Sequence, residues 1–524
     1  MTPGPTRGQT LARAGLIVSA GFLVSRLLGW IRLVVIGYVF EPQELDTFFA
    51  AFRIPDLVFQ LVAAGALGSA LIPILAGLME TGRYDRAWQV ASTVANTMLV
   101  ALLTLAALLF VFAPVVVPAI TPGFDAAQAA QTVELTRLML LAPIFLALGA
   151  IATSVLNAAG RFAAAALAPA VYNIVIIASA LLLAPSMGVD GLAAGVALGA
   201  VGLFLVQLPG LARLGARYAA RIDRSDPEAR TAFRLLAPRA IGLGASQITF
   251  IVVTSLASLL GAGAITAYNI AFTLLQVPMG LIGVPLGVVL FPSLSRDAAV
   301  GRDAEYVSLL TRALRLLLFV MIPAAALMAI LREEIVGVLF PAFDPPLREL
   351  TANTLLFFLA GLPAHALIAV LARAFYARQD TRTPVMAAVL AVLLNTSTAA
   401  LLVGPLGLAG IALAIAFAAW VEAIVLLVLK ARSVPLALGA VARVGVTAAL
   451  ATAASVGVGL VVSAALAGVL GGSPRLVALA GEAIVVAVAF GATYLAASIA
   501  LRIPELASIV AIMSDLVRRR AGSG

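Results

Sequence analysis

Residues Ser25–Asp56 read SRLLGWIRLVVIGYVFEPQELDTFFAAFRIPD. Arg26 and Arg32 sit well inside the first long apolar run, and Asp46, Arg53 and Asp56 flank the start of the second. An arginine near a bilayer centre costs about 2.5–3.5 kcal/mol on insertion scales. A chain that avoids charge almost everywhere else and accepts that cost here is expected to bind something anionic.

The surrounding sequence fixes the class. Apolar residues make up 63% of the chain and charged ones 11%, with a mean hydropathy of +1.13. Soluble domains run at about 45–50% apolar and about 25% charged, so this is an integral membrane protein. Runs of roughly twenty apolar residues recur from end to end, the mark of α-helical spans rather than a barrel. The absence of Cys excludes disulfides, iron–sulfur clusters and thiolate metal sites. His365, the only histidine, lies in an apolar helix, where a core hydrogen bond is expected over a proton relay. The net charge of +9 is spread over loops, which reads as positive-inside bias and not as a nucleic-acid surface. MTPGPTRGQTLARAG leads into a run too long for a cleaved signal peptide and is expected to be cytoplasmic. Within the membrane runs there are no paired carboxylates, and the chain shows no nucleotide-binding loop, metal-ligand cluster or Ser/His/Asp arrangement. Enzymatic chemistry, ATP-driven pumping, a cofactor and a metal are therefore not expected.

Hydropathy predicts fourteen helices, near 11–40, 47–78, 86–119, 128–158, 162–186, 190–213, 238–261, 264–293, 305–332, 347–375, 383–404, 407–430, 437–469 and 475–502. One set of connectors carries Arg83, Arg86, Arg161, the arginines of 213–234, Arg296, Arg302, Arg378, Arg382, Lys430 and Arg432. The alternating set carries Glu41, Glu44, Asp46, Asp125, Asp190, Glu333, Glu334 and Asp344, so both termini are expected in the cytoplasm. LGSALIPIL at Leu67–Leu75 returns as LGVVLFPSL at Leu286–Leu294, 219 residues later. GLAAGVALG from Gly191 resembles GLAGIALAI from Gly407, a shift of 216, and Asn173 parallels Asn395. Shifts of 216–222 residues cover six helices each, an even number, which implies parallel repeats.

The fold expected is thus an all-α polytopic membrane protein with two pseudo-symmetric six-helix lobes plus two C-terminal helices. The boundaries are 1–213 for the first lobe, 214–237 for a basic linker, 238–432 for the second lobe, 433–502 for the added pair and 503–524 for a basic tail ending Arg518-Arg519-Arg520.

On the first helix, Ser25 and Arg32 share a face with Gly29 between them, and Arg26 lies about 120° round from Arg32. The two arginines can border a broad cavity, and Gly21 and Gly29 permit a bend or close packing. On the second helix, Asp46, Arg53 and Asp56 share a face at i, i+7 and i+10, and Arg53 and Asp56 are within reach of an ion pair. A charge-neutral patch at the outer mouth is the plainer reading of that trio. Pro55 loosens the helix there. Asn157, Asn173, Gln247, Asn269, Gln276, Asn353 and Asn395 are mid-membrane amides whose default is interhelical hydrogen bonding. Glu422 is expected to pair with Lys430 or Arg432.

SRLLGWIR, DTFFAAFRIPDL and GALGSALIPIL resemble the opening signature of the MurJ/MviN family, lipid II flippases of the MOP exporter superfamily. TPGF at Thr121, LNAAGRFAAAALAPAVYN at Leu156, LGVVLFPSLSR at Leu286 and FYARQDTRTPV at Phe375 continue the resemblance in order across essentially the whole chain. The resemblance implies a flippase carrying undecaprenyl-pyrophosphate-linked peptidoglycan precursor to the outer leaflet of the bacterial inner membrane by alternating access. It implies a cationic cavity for the pyrophosphate and sugar, with the last two helices forming a groove for the lipid tail. By position, Ser25, Arg26, Arg32 and Arg53 match its substrate-binding residues and Asp46 its acidic residue before the second helix, with Asp56 beside them at the mouth. The partners expected are a lipid-linked glycan, the bilayer and the cell-wall synthesis machinery, with no nucleic acid, and a monomer is the expected state. The sequence departs from the pattern at Leu33, Phe59, Ala64 and Thr273, where family members carry charge. Sodium-binding carboxylates are also absent from the seventh and eleventh helices. Those departures admit another polyprenyl-linked glycan as cargo. A drug/cation antiporter of the same superfamily would want intramembrane acids where this chain has arginines, and a non-transporting scaffold would tolerate loss of all the cavity charge.

Overall fold

The computed structural model describes residues 7–62, 66–470 and 474–507. The side chains of 7–20, 22, 61–67, 69, 237–246 and 467–470 lie outside the described residues, as do Ala64 and the basic tail from 508 onward. Among the described residues the chain is helical almost throughout and holds no strand. In hydrocarbon every backbone polar group needs a partner, and a helix supplies it within one segment.

Contacts divide the chain into two compact units, Met1–Thr266 and Ala267–Gly524. The first contains α1 (Arg7–Val39), α2 (Pro42–Val62), α3 (Ala66–Glu80), α4 (Tyr84–Ile120), α5 (Ala126–Met139) and α6 (Leu141–Ala158). It continues with α7 (Phe162–Leu182), α8 (Ala184–Met187), α9 (Val189–Leu205), α10 (Leu208–Ala212) and α11 (Pro227–Ser258). α12 (Ala264–Pro278) opens at its end, and a π-helical turn, Met279–Gly283, leads to α13 (Val284–Ala299). The second unit then holds α14 (Asp303–Ile330), α15 (Arg332–Leu339), α16 (Pro345–Leu359), α17 (Leu362–Ala377), α18 (Arg382–Ser433), α19 (Leu438–Leu470) and α20 (Arg475–Ala500). α11, expected to open the second lobe, packs on α2, α3 and α4 of the first unit.

Nine helices among the described residues are long and apolar enough to cross a bilayer, or ten if α16 and α17, bent by 46°, form one span. α18 alone has 52 residues, and Gly407, at φ 57° and ψ −136°, breaks it. At ~1.5 Å per residue such a helix is more than twice the ~30 Å hydrocarbon core, so it holds two spans.

The internal repeat is written in the turns at one constant spacing of 219 residues. Gly82 and Gly301 end their helices at φ 74° and 70°. Asp125 and Asp344 each cap the following helix, accepting from the backbone N–H of Gln128 and Leu347. Gly160 and Gln379 take φ 70° and 61°, and Gly188 and Gly407 both take 57°. A Cβ on Gly191 would lie 2.9 Å from the Leu183 backbone, and one on Gly410 would lie 2.4 Å from the Leu402 carbonyl oxygen. These contacts pair Gly191 with Gly410. The register of 216 expected for this segment is therefore corrected to 219: what repeats is the glycine on which the preceding helix end rests, not the best letter match.

Two further expectations are corrected in the second unit. Lys430 donates to the Ala374 carbonyl at 3.3 Å and lies 3.8 Å over the Phe375 ring, not beside Glu422. Glu422 is eight residues earlier on α18, about 12 Å along the axis, which is beyond an ion pair. His365 has a buried Nε2 with no hydrogen-bond partner among the described residues, so the expected core hydrogen bond is not made there. Its helix packs at that level through small and aliphatic residues, Leu362, Ala364 and Ala366, which offer no acceptor.

Candidate substrate-binding site

The helices that carry the candidate residues are held close by small side chains and amides. A Cβ on Gly21 would sit 2.7 Å from the Cβ of Ala166, so only glycine lets α1 approach α7 at that level. One turn on, Asn173 Nδ2 donates to the Ser25 carbonyl at 3.3 Å and to its own helix at Pro169. That is the interhelical bond expected of a mid-membrane amide. It fixes the backbone of Ser25 beside α7.

From this anchor the arginines diverge as their spacing requires. Arg26 lies on the exposed side of α1 and Arg32 is half-buried. The Arg32 guanidinium lies 5.9 Å from the centre of the Tyr172 ring, a cation–π distance. Tyr172 feels the charges of both Arg32 and Asp56, and Asp56 in turn feels Arg53.

On α2, Arg53 and Asp56 both meet side chains of α11. Arg53 Nε donates to Thr254 Oγ1 at 3.1 Å, and its guanidinium lies 5.2 Å from the Phe250 ring centre. Gln247 Nε2 donates to Asp56 Oδ2 at 3.0 Å. Gln247, Phe250 and Thr254 are spaced i, i+3, i+7, one face of a helix. Pro55 is inside α2 and leaves one carbonyl of the preceding turn without its usual donor.

Asp46 is drawn away from this group. Its side chain is buried; Oδ2 accepts from the Gly263 N–H at 2.6 Å, and Oδ1 accepts from the Thr266 N–H at 2.7 Å and hydroxyl at 2.6 Å. A carboxylate there satisfies donors that the first turn of α12 leaves unpaired. Arg32 thus lies over Tyr172, Arg53 and Asp56 meet α11, Ser25 is tied by its carbonyl to α7, Arg26 is on the exposed face of α1, and Asp46 clamps the loop that precedes α12.

The positions where family members carry charge are filled in other ways. Leu33 is buried, Phe59 packs on the aliphatic core of α3, α4 and α6, and the Thr273 hydroxyl is spent on the Asn269 carbonyl at 2.7 Å. Sequence reasoning missed Tyr172, although its neighbour Asn173 was singled out, because a tyrosine in an apolar run carries no charge signal. It also missed Arg373 on α17, half-buried against Gly287, where a Cβ would come within 2.9 Å of its guanidinium.

A large apolar cavity of the first unit, about 570 Å³, lies elsewhere, between α4, α6, α9 and the linker, and none of the candidate residues lines it. The linker that lines it is held to α4. Asn96 Nδ2 donates to the carbonyls of Ala219 and Arg221 at 2.7 and 2.9 Å, and its Oδ1 accepts from the Tyr218 hydroxyl at 2.6 Å. Arg86 pairs with Asp226 at 3.0 Å and Glu228 at 2.7 Å, which holds the Glu228 carboxyl below its ordinary range.

An all-helical polytopic membrane fold with arginines within its apolar helices is the arrangement of a membrane transporter. The chain belongs to the lipid II flippase MurJ family, whose pattern matches residues 38–478. It is 32% identical over 429 residues to the lipid II flippase MurJ of Burkholderia cenocepacia, covering 80% of this chain and 83% of that one. A solved lipid II flippase MurJ in an inward closed conformation superposes with a TM-score of 0.76 at 21% identity, covering 93% of this chain and 99% of the other. An inward-facing multidrug resistance MATE family transporter of the MOP superfamily reaches 0.67 at 15% identity, over 80% and 98% of the two chains. At these identities the structural matches speak for the fold.

Proposed function

We propose that this chain moves lipid II, an undecaprenyl-pyrophosphate-linked peptidoglycan precursor, from the cytoplasmic to the outer leaflet by alternating access. The observation that carries the reading is Arg32 over Tyr172, with Asp56 near enough to act on the same ring and Arg53 on Asp56, in a chain of this family. Arg26 and Arg32 grip the pyrophosphate, since guanidinium groups bind such oxygens in pairs. Ser25 lies beside them and Arg53 lines the same site from α2. Asp46 and Asp56 act at the mouth. The cargo is carried without any covalent step, so the protein is a transporter and not an enzyme, and the lack of sodium-binding carboxylates leaves membrane potential or another, unidentified driver.

In this reading the chain makes fourteen spans in the bacterial inner membrane, with both termini cytoplasmic. It works as a monomer alongside the cell-wall synthesis machinery, and α19 and α20 guide the lipid tail. Their outward residues Val446, Leu450, Val461 and Val488 are exposed and aliphatic, a surface suited to a polyprenyl chain.

A second reading keeps the mechanism and changes the cargo to another polyprenyl-linked glycan. Thr273 and Phe59 favour it, because two positions that are cationic in family members carry no charge here. Complementation of a cell depleted of its own flippase tests both. Rescue by the wild type, lost or cut at least tenfold in viable count with Arg26→Ala or Arg32→Ala, supports the first reading. Failure of a well-expressed wild type moves the assignment to the second, and undiminished rescue by both variants sinks the anion grip.

A further inference from the structure

In the second unit, a pocket of about 350 Å³ brings together arginines from three helices: Arg315 of α14, Arg443 of α19 and Arg502 just past the end of α20. Beneath it Val444 and Ile503 belong to an aliphatic and aromatic cluster with Phe319 and Phe490. The pocket is set where α19 begins and α20 ends, and the Val446 and Leu450 side chains one to two turns further along α19 are exposed and apolar. Its mouth is therefore at the edge of the hydrophobic band.

The backbone is shaped to hold Arg502 there. α20 ends in a Schellman turn: the Ile503 N–H donates to the Ser498 carbonyl and the Arg502 N–H to Ile499, both at 3.0 Å. The residue in the left-handed position is Arg502, at φ 52°, where glycine fits without steric cost. Such a conformation persists where the surroundings enforce it and is common where a side chain must be presented. Pro504 follows, and the buried Glu505 pairs with Arg315 at 2.5 Å.

The charges do not balance. Glu505 is taken up by Arg315, and neither Arg443 nor Arg502 makes an ion pair among the described residues. Arg443 and Arg502 are exposed and line one small, half-apolar pocket, so both guanidinium groups are open to an anion that enters it. We propose that this pocket binds a phosphate-bearing anion, its oxygens taken by Arg443 and Arg502. Its place at the edge of the apolar band suits the phosphodiester headgroup of an anionic lipid, and inorganic phosphate shares the same chemistry. The site is separate from the Arg26–Arg53 group, and its test needs no transport.

The full chain, purified in a mild detergent, is titrated with dioctanoyl phosphatidylglycerol, dioctanoyl phosphatidylcholine and inorganic phosphate, and bound species are read by native mass spectrometry. The phosphatidylglycerol should bind at least tenfold tighter than the phosphatidylcholine. Arg443→Gln should remove that preference, and so should Arg502→Gly, which relieves the left-handed turn and so keeps the fold while deleting the guanidinium. Displacement by inorganic phosphate at similar concentration assigns the site to the free ion, and resistance to it assigns the lipid headgroup; either upholds an anion site. Equal binding of the two lipids without any phosphate binding, or a preference undiminished in both variants, overturns it.

Discussion

Asp46 offers the sharpest perturbation. Its two carboxylate oxygens receive three hydrogen bonds of 2.6–2.7 Å from Gly263 and Thr266 in a buried setting. Asp46→Asn keeps the shape and replaces one oxygen by an NH₂ group. With the amide oxygen turned to Thr266, that NH₂ faces the Gly263 N–H, donor against donor. A buried donor left without an acceptor costs about 1–3 kcal/mol, and the other two bonds lose their charge assistance. The expected loss of clamp stability is about 2–3 kcal/mol. The chain has no cysteine, so Ala264→Cys, at a position only 1% exposed, gives one clean thiol under the clamp. Where closing outruns labelling, the maleimide rate follows the opening equilibrium. At 1.4 kcal/mol per decade, Asp46→Asn should speed labelling roughly 30- to 150-fold. Thr266→Val removes the hydroxyl bond alone, worth about 1 kcal/mol, and should speed it about fivefold. A change below threefold in the Asp46→Asn protein, with its unfolding midpoint unaltered, would refute the view that this carboxylate holds the loop.

Asn96→Ala removes three bonds between α4 and the linker, together about 3 kcal/mol, and trypsin should then cut at Arg217 or Arg221 on the order of 100-fold faster, as read by peptide mapping. The linker should also loosen in acid. Ser225 and Arg86 hold the Asp223 and Glu228 carboxyls below their ordinary values, so their contribution is complete above about pH 4.5 and is lost as pH falls through the lowered values. Hydrogen exchange over residues 219–228, corrected for intrinsic rate, should rise only below that point. Gly410→Ala drives a Cβ to 2.4 Å from the Leu402 oxygen, whereas Gly404→Ala meets nothing within 4 Å. The first should lower the unfolding midpoint by the equivalent of about 1–3 kcal/mol or more, and the second should raise it slightly through helix propensity.

The class of fold was legible because hydrocarbon leaves a chain few choices: apolar runs of span length between short polar connectors mean helices. The site was legible in part for the same reason, since a buried charge is costly and therefore conspicuous. Arg26, Arg32, Arg53 and Asp56 stood out in this way. Neutral partners did not. Tyr172, Phe250 and Thr254 are ordinary residues of apolar helices until packing sets them against an arginine. Asp46 was read as part of an open face because helical spacing gives direction along one helix and says nothing of what covers it. Glu422 was paired with Lys430 or Arg432 by sequence nearness along a single helix, whereas Lys430 turns to the Ala374 carbonyl and the Phe375 ring of α17.

The repeat shows how scaffold and chemistry separate within one chain. Turn conformations recur at a spacing of 219 residues at Gly82, Asp125, Gly160 and Gly188, down to the φ angle and the capping bond. The charges do not recur. Arg53 has no arginine counterpart: the residue 219 later is Phe272, and the hydroxyl of the next residue, Thr273, satisfies its own helix. Arg373 and Glu422 appear instead in the second unit, with no counterpart charge in the first: the residues 219 earlier are Ser154 and Leu203. A turn constrains backbone geometry in both copies alike, because each must end a helix and start the next at that point. A ligand makes no such demand, since a single anion needs its cations once. A duplicated fold with an unduplicated set of charges suits the anion site proposed above, and on that reading the arginines of the first unit are the place where loss of a single charge should be felt most.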